Sequence, residues 1–284
     1  MDSRQVYRGM DIGTDKVRDE ARQAIPHHGL DLVNPDERYS AGRFAREARQ
    51  WITGIESRGG LPVLAGGTGF FLKSVMDPIF AEPSLDQGRL EALRGWLAEQ
   101  PPEELAKWVR TLDPSRSEVA IEGGPHRMGR TIEVALLSGV PLSTWHREAP
   151  PDGEGVHGVV LLLELPRDEI DARILLRIHR MLGRGLVDEV KGLLEAGYTE
   201  EDPGMTGTGY REIARHLRGE ISLDQAVEEI AAATRRYARR QLTWFRHQLP
   251  DDAVRVDAAL PVDDQVDVAI RALQAAGLGW PENG

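Results

Sequence analysis

The chain has 284 residues, 40% hydrophobic and 29% charged, with a formal charge of -11 and no cysteine. That length suits one large or two small domains with a real core. The acidic balance argues against a protein that coats nucleic acid nonspecifically, though it allows one basic face on an acidic body. The lack of cysteine excludes disulfides, a thiolate nucleophile and a Cys-based zinc site, and it suits a reducing cytosol.

The first stretch, Met1 to Thr14, is polar, charged and punctuated by Gly9 and Gly13. Such a glycine pair predicts a tight bend or a close approach by another group. Read alone, the stretch is a frayed terminus with a turn in it. Read with the rest of the chain, Asp2 and Ser3 are the polar end of a strand, and a preceding segment is expected to be missing. No signal peptide is expected, because no apolar core follows a basic start. The longest apolar run, Val159–Leu163, is far too short to span a bilayer.

Leu30–Val33 is a short strand candidate ended by Asn34-Pro35. Ser40 caps a predicted helix running to about Ser57, with Phe44, Ala48, Trp51, Ile52 and Ile55 at helical spacing. Leu61–Ala65 reads as a buried parallel strand, since it is apolar without alternation and follows a helix. Gly66-Gly67-Thr68-Gly69 and a new helix come next. A strand, a glycine turn and a helix form the α/β arrangement that binds ligands at strand C-termini; a bare tight turn is the plain alternative.

Residues from about 84 to 147 read as helical throughout, with stripes at Leu90, Leu93 and Leu97 and at Leu105, Trp108, Val109 and Leu112. Arg127 and Arg130 share one helix face, a pattern that pairs with nearby acids or holds phosphates. Residues 149–155 are linker-like, and Val159–Leu165 is a second buried strand candidate. A long helix then carries Arg173, Arg177 and Arg180 every three or four residues, either an acid-paired face or a polyanion surface. Gly204–Tyr210 reads as a flexible loop, and Ser222 caps another helix. That helix leads into Thr234–His247, which interleaves arginine with Tyr237, Trp244 and Phe245. This is the composition expected where phosphates are gripped beside stacked bases; a solvated arginine face over core aromatics is the plain alternative. Val254–Asp257 is a last short strand, and the tail from Gly277 is expected to be disordered.

Taken together, these stretches resemble the tRNA dimethylallyltransferases (tRNA isopentenyltransferases). The signatures that match are Asp2–Thr14, Pro26-His27-His28, Asp36–Ser40, Gly66–Gly69, Arg127–Arg130, Gly185–Val190, Gly209–Glu212 and Thr234–Arg246. Their order and spacing hold from residue 1 to about 247. The resemblance implies an α/β, P-loop-NTPase-like parallel sheet with a helical insertion lobe. The core would be residues 1–84 and 149–260, the lobe 85–148 and the tail 261–284. It implies transfer of a dimethylallyl group from dimethylallyl diphosphate to N6 of the adenine beside the anticodon of a tRNA. The base would be flipped out to be reached.

The resemblance also assigns roles. Asp2 is the expected general base. Ser3, Arg4 and Gln5 line the base pocket. Thr68, Arg127, Arg130, Gly207, Thr208, Gly209, Tyr210, Arg211, Glu212, Arg239, Arg240, Gln241, Trp244 and Arg246 meet the tRNA. Arg173 and Arg177 hold the diphosphate, where fixed guanidinium donors stabilise the charge of a leaving group. Mg²⁺ is the implied cofactor, with its main protein ligand in a family loop ending in Lys-Thr. No glycine-rich Lys-Thr segment occurs in these 284 residues, and Gly123–His126 replace the family's polar residues before Arg127. A cytoplasmic monomer is expected, with no membrane association. Two alternatives stand beside the enzyme: a noncatalytic tRNA-binding remnant and an adenylate isopentenyltransferase. The second has no evident use for the arginine and aromatic segment.

Overall fold

The computed structural model describes residues 1–81 and 83–278. It divides into two compact units, one of Met1–Met76 with the chain from Val156 on, the other Asp77–Gly155.

In the first unit the polar opening stretch is not frayed. Val6, Tyr7 and Met10 are almost fully buried. Tyr7 forms a parallel bridge with Val33, and Leu32 donates its backbone N–H to Val6 at 2.7 Å. A short helix α1 (Asp19–Ala24) follows, then α2 (Ala41–Glu56). Ser40 caps α2 as expected, accepting from the Arg43 N–H at 3.1 Å and so satisfying one orphan donor of the first turn. Phe44, Ala45, Ala48 and Ile52 form its buried stripe. Phe44 stacks on Phe71 of α3 (Gly69–Met76) with ring centres 4.3 Å apart.

The second unit is helical, as its stripes predict: α4 (Gln87–Ala98), α5 (Pro102–Leu112), α6 (Ser117–Glu122), α7 (Pro125–Ser138) and α8 (Leu142–Glu148). Leu97, Leu105 and Val109 pack on Met128 and Ile132. Glu133, 6% exposed, accepts two bonds from Arg94, at 2.7 and 3.0 Å.

The first unit resumes with β1 (Leu161–Glu164), α9 (Arg167–Gly183) and α10 (Leu186–Glu195). It continues with α11 (Tyr210–Leu217), α12 (Leu223–Gln248), β2 (Val254–Asp257) and α13 (Val262–Ala275). β1 and β2 pair in parallel, Leu161 with Val254 through Glu164 with Asp257. Ser222 and Gln225 form a reciprocal cap on α12. The core joins Val6, Met10 and Val33 to Ile174, Ile178, Val190, Met205, Tyr210, Ile213 and Ile230.

Three expectations are corrected. Leu61–Ala65 belongs to no ladder, and Val63 is 75% exposed. A strand exists only where a neighbouring backbone takes up its N–H and C=O groups. Here the Ala65 carbonyl accepts from the Met1 nitrogen, and no described strand runs alongside. The supposedly flexible loop at 204–210 is packed, with Met205 and Tyr210 fully buried. The segment read as a tail from 261 contains α13, which follows β2; of the stretch expected to be disordered from Gly277, Gly277 and Leu278 donate their N–H groups to the carbonyls of Gln274 and Leu273, and residues 279–284 lie outside the described residues. Among the described residues, no helix is long and apolar enough to cross a membrane.

Candidate active site

Four pieces of the first unit meet around Asp2. The opening stretch supplies Asp2, Ser3, Arg4 and Gln5. Asp2 accepts at Oδ1 from the N–H groups of Arg4 (2.7 Å) and Gln5 (3.4 Å), a local Asx-type turn. Among the described residues no group bonds its Oδ2, so that lone-pair face is available.

The glycine turn supplies Thr68. Its Oγ1 accepts from the Ser3 N–H at 3.1 Å. Helix α12 supplies Gln241, which donates to the Gly67 carbonyl at 2.7 Å, and Trp244 against Gly69. The loop before α11 is tied in by Arg4, whose Nη1 donates to the Pro203 carbonyl at 2.8 Å and to Thr206 Oγ1 at 3.1 Å.

Tyr237, absent from the expected site, stands with them. Its phenol stands beside the Thr68 and Gln241 side chains. Burial, then the nearby Asp2 charge, push the phenol above its ordinary pKa, so it stays neutral. The signal was in the sequence: Tyr237, Gln241 and Trp244 fall at helical spacing on one face of α12.

The adjoining face of α12 is basic. Arg236, Arg239, Arg240, Thr243 and Trp244 form one open face of this helix. The Arg240 guanidinium lies 5.7 Å from the centre of the Tyr237 ring, within cation–π reach. Arg239, Arg240 and Arg246 are exposed. Arg235 is instead paired with Asp171 of α9 at 3.3 Å. The segment is therefore both structural, through its inner face, and cationic outside.

A second group forms around the turn at 11–15. Glu189 of α10 accepts the backbone N–H groups of Asp11 (2.9 Å), Ile12 (2.6 Å) and Gly13 (3.0 Å). Tyr210 donates its hydroxyl to the same carboxylate at 2.7 Å. Burial first, then the Glu189 charge, hold that phenol far above its usual range. Tyr210, expected at the tRNA, thus turns into the core. Glu212 likewise serves its own helix, accepting the Gly209 N–H at 2.8 Å. Gly207 and Gly209 are buried, while Thr208 and Arg211 are exposed.

Arg177, expected at the diphosphate, donates to the Thr14 carbonyl at 3.3 Å and pairs with Asp15 at 3.2 Å. Arg173 is half exposed and pairs loosely with Glu169 at 3.6 Å. In the second unit, Arg130 is drawn to Glu133 at 3.4 Å, which Arg94 also holds. Arg127 lies in the first turn of α7 beside Gly123.

Among the described residues no group of three or more His, Cys, Asp or Glu side chains could hold a metal ion. The described residues therefore offer Mg²⁺ no such cluster.

A model of the IPP transferase family matches residues 5–248. The chain belongs to this family. Among its relatives, the tRNA dimethylallyltransferase of Geobacter sulfurreducens is 40% identical over 249 residues, covering 86% of this chain and 79% of that protein. The enzyme of that name from Syntrophobacter fumaroxidans is 42% identical over 246 residues, 86% and 72% of the two chains. The structure of a tRNA isopentenylpyrophosphate transferase from Staphylococcus epidermidis superposes with a TM-score of 0.67 at 29% identity, covering 97% and 89%. A eukaryotic dimethylallyltransferase acting on tRNA shares the fold, with a TM-score of 0.79 at 24% identity over 99% and 73%. This IPP transferase has the α/β fold of these neighbours, here with much helix and a small parallel sheet.

Proposed function

We propose that this IPP transferase is a tRNA dimethylallyltransferase that prenylates N6 of the adenine beside the anticodon. The observation that carries the reading is the meeting of Asp2, Thr68, Tyr237 and Gln241 next to an arginine-lined face, all in one unit of an acidic chain. A polar cluster beside a cationic helix face suits a single base presented by a large polyanion.

In the reaction, the N6 nitrogen forms a bond to C1 of dimethylallyl diphosphate as the C1–O bond breaks. The diphosphate leaves with the electron pair, and the N6 proton passes to Asp2. An amine conjugated to a purine is a weak nucleophile, and a carboxylate on its N–H raises its reactivity. The arrangement of Asp2 supports this role, with one oxygen fixed by backbone N–H groups and the other available. Ser3, Arg4, Gln5 and Thr68 frame the base. Arg173 and Arg177 meet the leaving diphosphate, where guanidinium charge opposes the charge that develops.

We take the core to be of the P-loop type, which the parallel β1–β2 pair and the helices following the short strands support. Action in the cytoplasm, where its tRNA substrate would be met, follows from the same reading. The adenylate alternative is disfavoured by the same arginine face, which a free nucleotide does not need.

The test is transfer of radiolabelled prenyl groups from dimethylallyl diphosphate to unmodified tRNA or to AMP. Label at the anticodon-adjacent adenine supports the reading. Label in AMP alone overturns it in favour of the adenylate enzyme, and tRNA binding without transfer overturns it in favour of a binding protein.

A further inference from the structure

The turn at 11–15 touches residues assigned to both substrates. Gln5, in the base pocket, donates its side-chain N–H to the carbonyls of Thr14 (3.2 Å) and Asp15 (3.3 Å). Arg177, at the diphosphate, donates to the same Thr14 carbonyl and pairs with the Asp15 carboxylate. Arg184 reaches that carboxylate at 2.9 Å. Asp15 has φ 52°, a left-handed conformation uncommon outside glycine, though Asp enters it more readily than most.

The first half of the turn is held by one side chain. Three successive N–H groups, those of Asp11, Ile12 and Gly13, converge on Glu189. Consecutive amides of this kind form an anion-binding nest. Here the anion comes from the chain's own helix α10. The carboxylate is fixed in turn by the Tyr210 hydroxyl at 2.7 Å, and the Tyr210 ring presses on Gly13 so closely that a Cβ there would lie 2.6 Å from Cζ. Two further bonds stiffen the turn, from Thr14 Oγ1 to the Met10 carbonyl (2.6 Å) and from the Lys16 N–H to the Asp11 carbonyl (2.8 Å).

We propose that Glu189 is a positioning residue for transfer: by filling the amide nest at 11–13 it sets the Thr14–Asp15 backbone that holds Arg177 in register. The inference rests on the functional reading above, since it takes the role of Arg177 from it. Glu189 is bonded to the turn and to Tyr210, and it acts through the turn. A carboxylate offers only acceptors to three amides and a phenol. The amide of Glu189→Gln must present an N–H to at least one of those donors, which repels it.

The experiment compares the full chain with its Glu189→Gln and Tyr210→Phe variants in three measurements. These are thermal melting, the affinity for inorganic diphosphate by calorimetry, and the affinity for unmodified tRNA by filter binding. For Glu189→Gln the expected result is diphosphate affinity about tenfold weaker, with tRNA affinity within about twofold of wild type, the size of one charge-assisted hydrogen bond network. Tyr210→Phe, which leaves the nest filled, should weaken diphosphate binding about two- to threefold with the same split. Equal losses in both ligands would make Glu189 a general structural residue and overturn the inference, as would unchanged diphosphate affinity in both variants. If Glu189→Gln fails to fold, the split in Tyr210→Phe decides alone. Prenyl transfer by the wild-type chain is run in parallel. Its failure removes the functional reading, whereas the diphosphate split reports on the nest whether or not transfer occurs.

Discussion

Trp244 lies so close to Gly69 that a Cβ on the glycine would sit 2.3 Å from the indole Cε3. The first residue of α3 has no side chain because α12 docks an aromatic ring there. Three residues earlier on α12, Gln241 donates to the Gly67 carbonyl. These two contacts hold the basic helix against the turn that carries Thr68. Gly69→Ala should force the indole aside and destabilise the protein by about 1–3 kcal/mol, as overpacking does. It should also weaken tRNA binding severalfold, because Trp244 belongs to the arginine-rich face. Denaturant melting together with a tRNA titration checks both; an unshifted midpoint with wild-type affinity would mean that Trp244 is not held by this contact.

Asp2→Asn should keep the turn, since an amide oxygen can still accept the Arg4 and Gln5 N–H groups. It cannot take a proton from N6. We expect single-turnover transfer to fall about 10²–10⁴-fold, the usual size of a general-base contribution, with tRNA affinity within about twofold. Wild-type transfer by this variant would remove Asp2 from the chemistry.

Arg239, Arg240 and Arg246 should contribute affinity rather than rate. Replacing an arginine that grips a phosphate should reduce the salt slope of tRNA binding by about one unit. Slopes measured between low and physiological salt for three single glutamine variants decide this. If all three match wild type, the exposed arginines are only a solvated face.

Lys16 predicts an acid limb in stability. Its side chain is 1% exposed, and its ammonium meets Asp11 at 2.7 Å, Asp31 at 2.6 Å and the Tyr7 carbonyl at 2.6 Å, so its three donors are satisfied. Burial pushes the Asp31 carboxyl up, but bonds and charge from Lys16 and Arg22 more than offset it, and the group stands below its ordinary 3.8. A carboxyl depressed on folding stabilises in full above its ordinary value and loses that contribution as pH falls through the lower folded value. Melting temperature should therefore drop with acid below about pH 4. Asp31→Asn should lower stability at neutral pH by about 1–3 kcal/mol, the cost of a poorly satisfied buried charge, and flatten that part of the acid limb. An unchanged limb in the variant would assign acid sensitivity to other groups.

The sequence by itself determined what depends on near neighbours. Ser40 and Ser222 announced helix starts because a cap bond spans only three residues. The stripes at 90–97 and 105–112 announced helices because a single helix sets their period. Val254–Asp257 was readable as a strand, and the order of short motifs pointed to the family. Tertiary structure decided what depends on distant partners. Leu61–Ala65 has the composition of a buried strand, yet a ladder needs a second backbone and none of those described lies beside it. Tyr210 looked like a contact residue, but Glu189, 21 positions earlier in the chain, draws its hydroxyl into the core. Tyr237 looked like one aromatic among several until helix α12 laid its face on Thr68, 169 positions away by their residue numbers. Read alone, the opening stretch was a frayed terminus, because its polar residues mask the buried positions Val6, Tyr7 and Met10, which follow no period. It became the centre of the fold only where an amide nest met a carboxylate from another helix, and a pairing of that kind leaves no periodic mark in either segment.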